Sequence, residues 1–573
     1  MLNKIPGLAT VLSLVVGLAS VTGQGAPVTT GHSLLNIHQA AQAGDAATVA
    51  ALLRTNPGLI AATDDTGRTP LHWACRGVHL GVVRLLVERG ADVNALDGSR
   101  IAPLHSVASR GHLEAASLLV ARGARLDARM ADGATPLHLA ARNGHAEVAG
   151  WLFEKGAPLD ARDGSEDSPL HAAARADKWT VVELLAGRVP AKRVAVLNVR
   201  DFDGSTVLHL ASRSGRTDTV ARLASQGADL DFRNTLGQTA YNLAEQGGFT
   251  ELAALLAQKG ADRRPSQSPR LTGPYLGQTP PGLTPQIFAK GIVSTRDGVY
   301  GTIVFSPDHR EAFWKPESGS LLFMKTEGGV WSVPRVFPFT ARPAIDVPFF
   351  SIDGRRLYFM TGTRSAVGMA ENEAIWFVER TSDGWSAPRS FDPIVNSVPM
   401  HWQFSMDERG NVYLSTDGGI AFARFERGRY LPPEKLPAPV NVPHTAEEKY
   451  RAGEVGPFIS RKGDYLIFTK FGTGIGLWIT FKQRDGSWSE PRNLSERLGG
   501  VGNDSAAQVT PDGKYLFFQS VRPGSAPSRS FYWVDARFIE SLRPSPLLAG
   551  TFRRPVGPLL AAVLESLGGK RAP

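Results

Sequence analysis

The residues best suited to metal or acid–base chemistry are His138 and His145, in the stretch TPLHLAARNGHAEV (135–148). Imidazoles ligate zinc and exchange protons near neutral pH. Two ligands on one helix face need i,i+4 spacing, whereas these lie seven apart with a turn signal, Asn143-Gly144, between them. Neither stands alone. His72, His105, His138 and His171 recur every 33 residues, and His79, His112 and His145 form a second series at that interval. A metal reading would need a site in every unit, and no Cys or Glu partner lies in ligand spacing. Both series read as scaffold, and no metal or cofactor is expected.

Other chemistry-bearing patterns resolve in the same direction. DFDGS (201–205) begins like a calcium loop but lacks the later ligands and the closing glutamate, so it reads as a turn. Asp308, Asp353, Asp407 and Asp512 recur in equivalent strand connections, where Asp serves a tight turn. No G-x-S-x-G and no Gly-rich phosphate loop is present. Cys75 is the only cysteine, which excludes an intramolecular disulfide and a cysteine zinc cluster. It stands where parallel units carry Ala108 and Ala141, so a small buried thiol is expected. His401 beside Trp402, in PMHWQF (399–404), is the one candidate for a site at a channel mouth. No catalytic residue is assigned.

The interval explains the elements that hold these side chains. His38 opens the series, His209 follows His171 after 38 residues, and Asn242 takes the same place 33 further on. About seven units run from roughly 33 to 262, each reading as helix, turn, helix. Thr69, Thr135 and Ser168 suit an N-cap, and Pro70, Pro136 and Pro169 suit the first helical position, where a missing N–H costs nothing. Gly90, Gly123, Gly156, Gly227 and Gly260 end the second helix at a position needing positive φ. A helix pair this short cannot bury its apolar face alone, so neighbours must stack into a solenoid.

The string TPLH-x-A, then GH, then GADVN (90–94), resembles the ankyrin repeat over about 230 residues. The resemblance implies that the PLH histidine hydrogen-bonds within and between repeats and that inter-repeat loops project as hairpin fingers. The insertion GRVPAKRVAV (187–196) departs from it and reads as a surface loop or a partner contact. Ala102 and Val207 break the Thr-Pro pair in two repeats.

After DRRPSQSPRLTGP (262–274), a linker by composition, the helical period gives way to short aromatic and β-branched strands. VFSPDHREAFW (304–314), FFSIDGRRLYFM (349–360), QFSMDERGNVYLS (403–415), FISRKGDYLIFT (458–469) and QVTPDGKYLFFQS (508–520) each read as strand, turn, strand. With GGVWSVP, DGWSAP and DGSWSEP behind three of them, each unit has the size of a propeller blade. The pattern resembles TolB-like, WD-type propellers of bacterial envelope proteins. Five blades are visible, and a sixth could join TPQIFAKGIVST (284–295) to SFYWVDARFIESL (530–542).

The fold class is therefore multidomain: an all-α ankyrin solenoid of about seven repeats (33–262), a linker (263–274), an all-β propeller of five or six blades (275–543) and a tail (544–573) in which PLLAAVLESL (558–567) suits a short amphipathic helix. Lys4, the apolar run 5–21 and small residues beyond it read as a signal peptide (1–25) cleaved near residue 23–25, with an uncleaved anchor as the alternative. The mature chain is expected in the periplasm or outside the cell, with no membrane span. A net charge of +9 without a dense basic block gives no expectation of nucleic acid.

What remains is protein binding, to an unidentified partner in the envelope or outside the cell. Arg76, Arg142, Arg175 and Arg213 hold one register, four residues after the PLH histidine, and should align down the stack. Fingertips vary most: Asp65 and Arg68, Asp97 and Arg100, Met130 and Asp132, Glu166 and Asp167, Phe202 and Asp203. Variation on a fixed scaffold is where specificity is expected. Trp73 and Trp179 are candidate anchors. The reading is an exported, non-catalytic interaction scaffold. The alternative is an envelope hydrolase or lyase acting on polysaccharide or peptide at the propeller mouth, around His401 and Trp402.

Overall fold

The structure is a computed structural model. It describes residues 31–266, 270–317, 319–338, 345–364, 370–416, 419–442, 453–471, 476–500, 503–522 and 529–544, without the side chains of 31–36, 345–346, 362–364, 370–372, 400–402 and 453. The expected signal peptide and the amphipathic segment 558–567 lie outside the described residues.

Seven helix pairs form the N-terminal half, from Gly31–Ala43 with Ala46–Thr55 to Ala240–Gln246 with Thr250–Gln258. Their first helices start as the residue types dictate. In Pro70–Gly77, Pro136–Arg142 and Pro169–Arg175 proline takes the first position behind Thr69, Thr135 or Ser168. The histidine three residues past the cap does what a capping-box glutamate does elsewhere. Thr135 N–H donates to His138 Nδ1 at 3.2 Å, and His138 Nε2 meets the Asp167 carbonyl at 3.0 Å. Since an amide can only donate and a carbonyl can only accept, the proton sits on Nε2.

The same bonds recur from His72 to Ile101 O (2.9 Å), His105 to Ala134 O (3.2 Å), His171 to Ser205 O (3.0 Å) and His209 to Gln238 O (3.0 Å). Asn242 substitutes with its amide, reaching Arg264 O at 3.0 Å. Burial holds His171 and His209 at about 4, so the ladder is neutral imidazole. The second series cross-links the stack from the other turn: His79 Nε2 donates to Gln42 O and His145 Nε2 to Ser109 O, at 2.8 and 3.0 Å. Gly111, at φ +74, lies under the His145 ring, where a Cβ would collide. Cys75 is fully buried in this core, and burial pushes its thiol pKa up.

The insertion 187–196 is packed rather than loose. It continues into a 3-10 helix, Ala191–Asn198, that buries Val196 and Leu197. Arg188 pairs with Glu154 at 3.1 Å, and the Arg193 guanidinium sits 5.8 Å from the Phe153 ring centroid.

Antiparallel strands of the C-terminal half group around five inner strands, Val299–Phe305, Ile345–Phe350, Met400–Met406, Gly453–Ile459 and Ser505–Val509, which close a ring with the last packing on the first; the second and third groups join through the Met400–Glu373 pairing. Each inner strand carries a register irregularity against its neighbour. The propeller has five blades. The segments that could have built a sixth instead complete the fifth: Gln286–Ile287 pairs with Ser530–Asp535 as its outer strand. Joining the two ends of the domain in one sheet removes an open edge. The end of the expected linker belongs to the first blade. Leu271 O accepts from Trp331 N–H, and Gly273 O from Trp331 Nε1, both at 2.8 Å. Tyr275 is buried against Phe305, Tyr515 and Trp533.

Candidate functional site

Six fingers of five residues project from the solenoid at 64–68, 97–101, 130–134, 163–167, 201–205 and 234–238. Each tight turn follows from an Asx side chain folding back on its own backbone. Asp97 Oδ1 accepts from Ser99 and Ile101 N–H, both at 2.9 Å, and Asp163, Asp201 and Asn234 do the same two and four residues on. Met130 cannot, and Asp132 takes over by accepting from Ala134 N–H at 3.0 Å. The fourth residue of every finger has positive φ. Glycine fills four of these places, while Arg100 and Glu166 hold φ +59 with a full side chain.

Neighbouring fingers are joined by single backbone bonds, Gly98 N–H to Thr66 O, Ala131 to Ser99, Gly164 to Asp132 and Thr235 to Asp203. The step from the fourth finger to the fifth, which carries the insertion, is bridged by side chains. Arg175 pairs with Asp167 at 3.3 Å and also with Asp201. Arg296, from the propeller, lies across the same two fingers: Nη1 is 2.6 Å from Asp167 Oδ2, and its N–H donates to Asp203 Oδ1 at 3.1 Å.

The last three fingers are thus docked on the propeller segment 288–297. Lys290 pairs with Glu166 and lies 4.8 Å from the Phe202 ring centroid. Gly291 sits against Thr235, where a Cβ would not fit. Leu236 packs on the apolar cluster that holds Tyr275 and Phe288. Burial, with Asp201 alongside, pushes Asp203 up to about 6, and burial also raises Asp167.

The first three fingers face a different environment. Together with the helices Pro70–Gly77, Pro103–Arg110 and Pro136–Arg142 they enclose a cavity of about 380 Å³. Arg68, Arg76 and Arg110 line it with the apolar Ile101, Met130 and Leu139. Trp73 lies alongside, its Nε1 donating to Asp64 Oδ2 at 2.8 Å and its ring centroid 5.4 and 5.5 Å from the Arg68 and Arg76 guanidinium carbons. The one acid in the lining, Asp97, is buried and occupied, its second oxygen taking Arg68 Nε at 3.1 Å. His72 and His105 also line the space, and burial lowers both below the usual imidazole range.

The candidate residues therefore divide. Asp65, Arg76, Arg100 and Asp132 are exposed, and Arg68, Trp73 and Met130 half-buried, around this cavity. Arg142 continues the arginine register but pairs with Asp163 at 3.3 Å, and Arg213 is exposed further down the stack. Glu166, Arg175 and Phe202 are engaged in the junction. Phe202 is 2% exposed and offers no face to an outside partner. Trp179 is buried too, its Nε1 donating to Asp177 and Arg216 lying over its ring. His401 and Trp402 fall on the inner strand Met400–Met406, but their side chains lie outside the described residues. Arg110, Lys290 and Arg296 were not expected from sequence. The available signal for the last two was charge: basic residues at 290 and 296 against acidic fingers at 163–167 and 201–203.

The turn aspartates of the propeller serve their turns: Asp308 Oδ1 accepts from Ser306 and Arg310, and Asp353 Oδ1 from Ser351 and Arg355. Among the described residues no group of three His, Cys, Asp or Glu is placed to hold a metal, and no helix is long and apolar enough to cross a membrane. The family model described as Ankyrin repeats (3 copies) matches the chain over residues 24–97, 97–163 and 170–266.

Proposed function

We propose that this chain, an ankyrin-repeat solenoid joined to a five-bladed propeller, is an exported, non-catalytic scaffold that holds a partner protein in the first half of its solenoid groove. Ankyrin repeats and propellers both serve as interaction folds, and one observation favours this site. The last three fingers are docked on the propeller, whereas the first three surround a cavity of about 380 Å³ rimmed by exposed side chains. Trp73 and the neighbouring arginines are residue types that dominate binding energy at interfaces. The N-terminal signal pattern supports export, and the turn roles of the propeller aspartates support a binding role without catalysis.

The reading is tested by filling the groove. Met130→Arg with Leu139→Arg places two long side chains in the cavity and leaves the propeller untouched. Tagged full-length protein should retain a partner from an envelope fraction that the double variant loses. Equal retention by both proteins would move binding away from the groove. Export has its own test: N-terminal sequencing of the cell-associated protein should begin near residue 23–25, and an intact Met1 in a cytosolic fraction would refute it.

A further inference from the structure

Within that reading, the geometry points to an acidic peptide segment of another protein, bearing an apolar side chain, as the occupant of the groove. The argument begins with charge. Arg68, Arg76 and Arg110 line the cavity, Arg100 stands on the second finger, and the only acid in the lining, Asp97, is already saturated by two backbone N–H groups and Arg68. His72 and His105 stay neutral there and do not alter this balance. Asp65 and Asp132 stand exposed on the first and third fingers, outside the lining. Arg76, Arg100 and Arg110 make no ion pair among the described residues. A concave site with a surplus of guanidinium groups favours carboxylates, which they can bind through two parallel hydrogen bonds.

The docked fingers supply a second, independent argument. Only two fingers carry a full side chain at the left-handed fourth position, Arg100 and Glu166. This conformation costs a non-glycine residue energy. In Glu166 the position projects a carboxylate onto Lys290 of the docked propeller. Arg100 projects the opposite charge from the equivalent place on an undocked finger, so the matching group on its partner is an acid. Ile101, Met130 and Leu139 separate the cations and give the space an apolar floor, which suits a peptide alternating carboxylates with Leu or Phe. A nucleic acid backbone would need a continuous basic track with stacking faces, and the Trp73 ring is already engaged by the Arg68 and Arg76 guanidinium groups.

Fluorescence anisotropy of the full chain measures this directly. The probe is a labelled 15-residue peptide of Glu and Asp with Leu at every third place. Controls are a Lys/Leu peptide of equal length and a single-stranded oligonucleotide of equal charge. The acidic peptide should bind and the two controls should not. Arg76→Glu with Arg110→Glu should weaken binding about 100-fold or more, by like-charge repulsion as well as lost pairing. Arg100→Gly, which suits the backbone, should weaken it about 3–10-fold without lowering the melting temperature. Arg484→Glu, in an exposed propeller turn, should leave it unchanged. Absence of peptide binding, equal binding by the oligonucleotide, or a double variant that binds as well as the parent would each overturn the proposal. A partner captured through the groove by a chain that ignores the acidic peptide would overturn this inference alone and leave the interaction reading standing.

Discussion

The first three fingers and the last three share one architecture and have opposite fates. Both groups use an Asx turn, a left-handed fourth residue and a histidine bond from the preceding repeat. In the second group the tips carry Glu166, Phe202, Asp203 and Leu236, and the propeller segment 288–297 covers them with Lys290, Arg296 and an apolar cluster. In the first group the tips carry Asp65, Arg100 and Asp132 and stay exposed. The solenoid thus supplies a row of equivalent positions, and side-chain chemistry at the tips decides what each one meets. One half of the row builds the molecule, and the other half stays exposed.

The strongest way to break this contrast is to remove an arginine from each half. Arg296→Ala takes from Asp167, 1% exposed at its side chain, the one of its two arginines that comes from the propeller, and leaves Arg175. Arg175 still faces the carboxylate, so the cost is about 2–3 kcal/mol, short of that of a fully unpaired buried charge, and it falls on the contact between the domains. Calorimetry should then show separate solenoid and propeller transitions where the parent protein gives a merged one. Arg68→Ala removes the partner of Asp97, but Asp97 keeps its two backbone donors and lies within the solenoid. A loss of about 1–2 kcal/mol with the domains still coupled is expected. Separation of the domains by Arg68→Ala but not by Arg296→Ala would invert the comparison.

The scaffold itself should not distinguish the halves. His72→Ala and His138→Ala each leave a cap N–H without its ring acceptor and remove one of the two bonds to a carbonyl of the next finger, which keeps its own backbone donor, so each should cost about 1–2 kcal/mol by urea denaturation. Added zinc should stabilise neither the parent nor the variants, because each ring already uses both nitrogens. A cost confined to His138 would mean that the ladder exists only to hold the docked fingers.

These contrasts also mark how far the sequence could be read. The helix pairs, the histidine ladder and the blades follow from periodicity, because each repeat must present the same side chain to the same neighbour. Blade number depended on whether 284–295 and 530–542 form a new sheet or complete an old one, and strand pattern alone does not encode pairing partners. Periodicity was equally silent on which fingers are covered. Phe202 reads from sequence as a partner contact because it lies on a variable fingertip, and only its contact with Lys290 shows that what it meets is the chain's own propeller. Arg296 carries no motif. Its meaning comes from the two acidic fingers that the insertion-bearing repeat sets on either side of it.

Titration should sharpen the comparison on a smaller scale. Asp203 is pushed up to about 6 from an ordinary 3.8, with Asp201, Arg175, Arg296 and Asp297 around it. A carboxyl with a raised folded-state pKa is disfavoured when ionised, so its contribution to stability is greatest below pH 4 and declines as pH rises through 6. Asp203→Asn keeps an acceptor for the Arg296 N–H and removes the charge. The variant should be about 1 kcal/mol more stable than the parent at pH 7, an effect reduced by solvent because Asp203 is half-buried. The difference should vanish at pH 4.

The smallest effect concerns the turn between the helices of a pair. Its left-handed position is Gly44, Gly111, Gly144, Gly215 and Gly248 in five repeats, but Val78 and Asp177 in the other two, at φ +61 and +58. A β-branched residue is strained there and has no compensating bond, so Val78→Gly should raise stability by about 1 kcal/mol. Asp177 tolerates the conformation better and uses it, accepting from Trp179 Nε1 at 2.5 Å and pairing with Arg216 at 2.6 Å. Asp177→Gly should therefore lower stability by about 1 kcal/mol despite relieving the backbone. Opposite signs at equivalent positions would show strain offset by contacts in one repeat and left uncompensated in the other. Equal signs would mean that backbone geometry alone decides both.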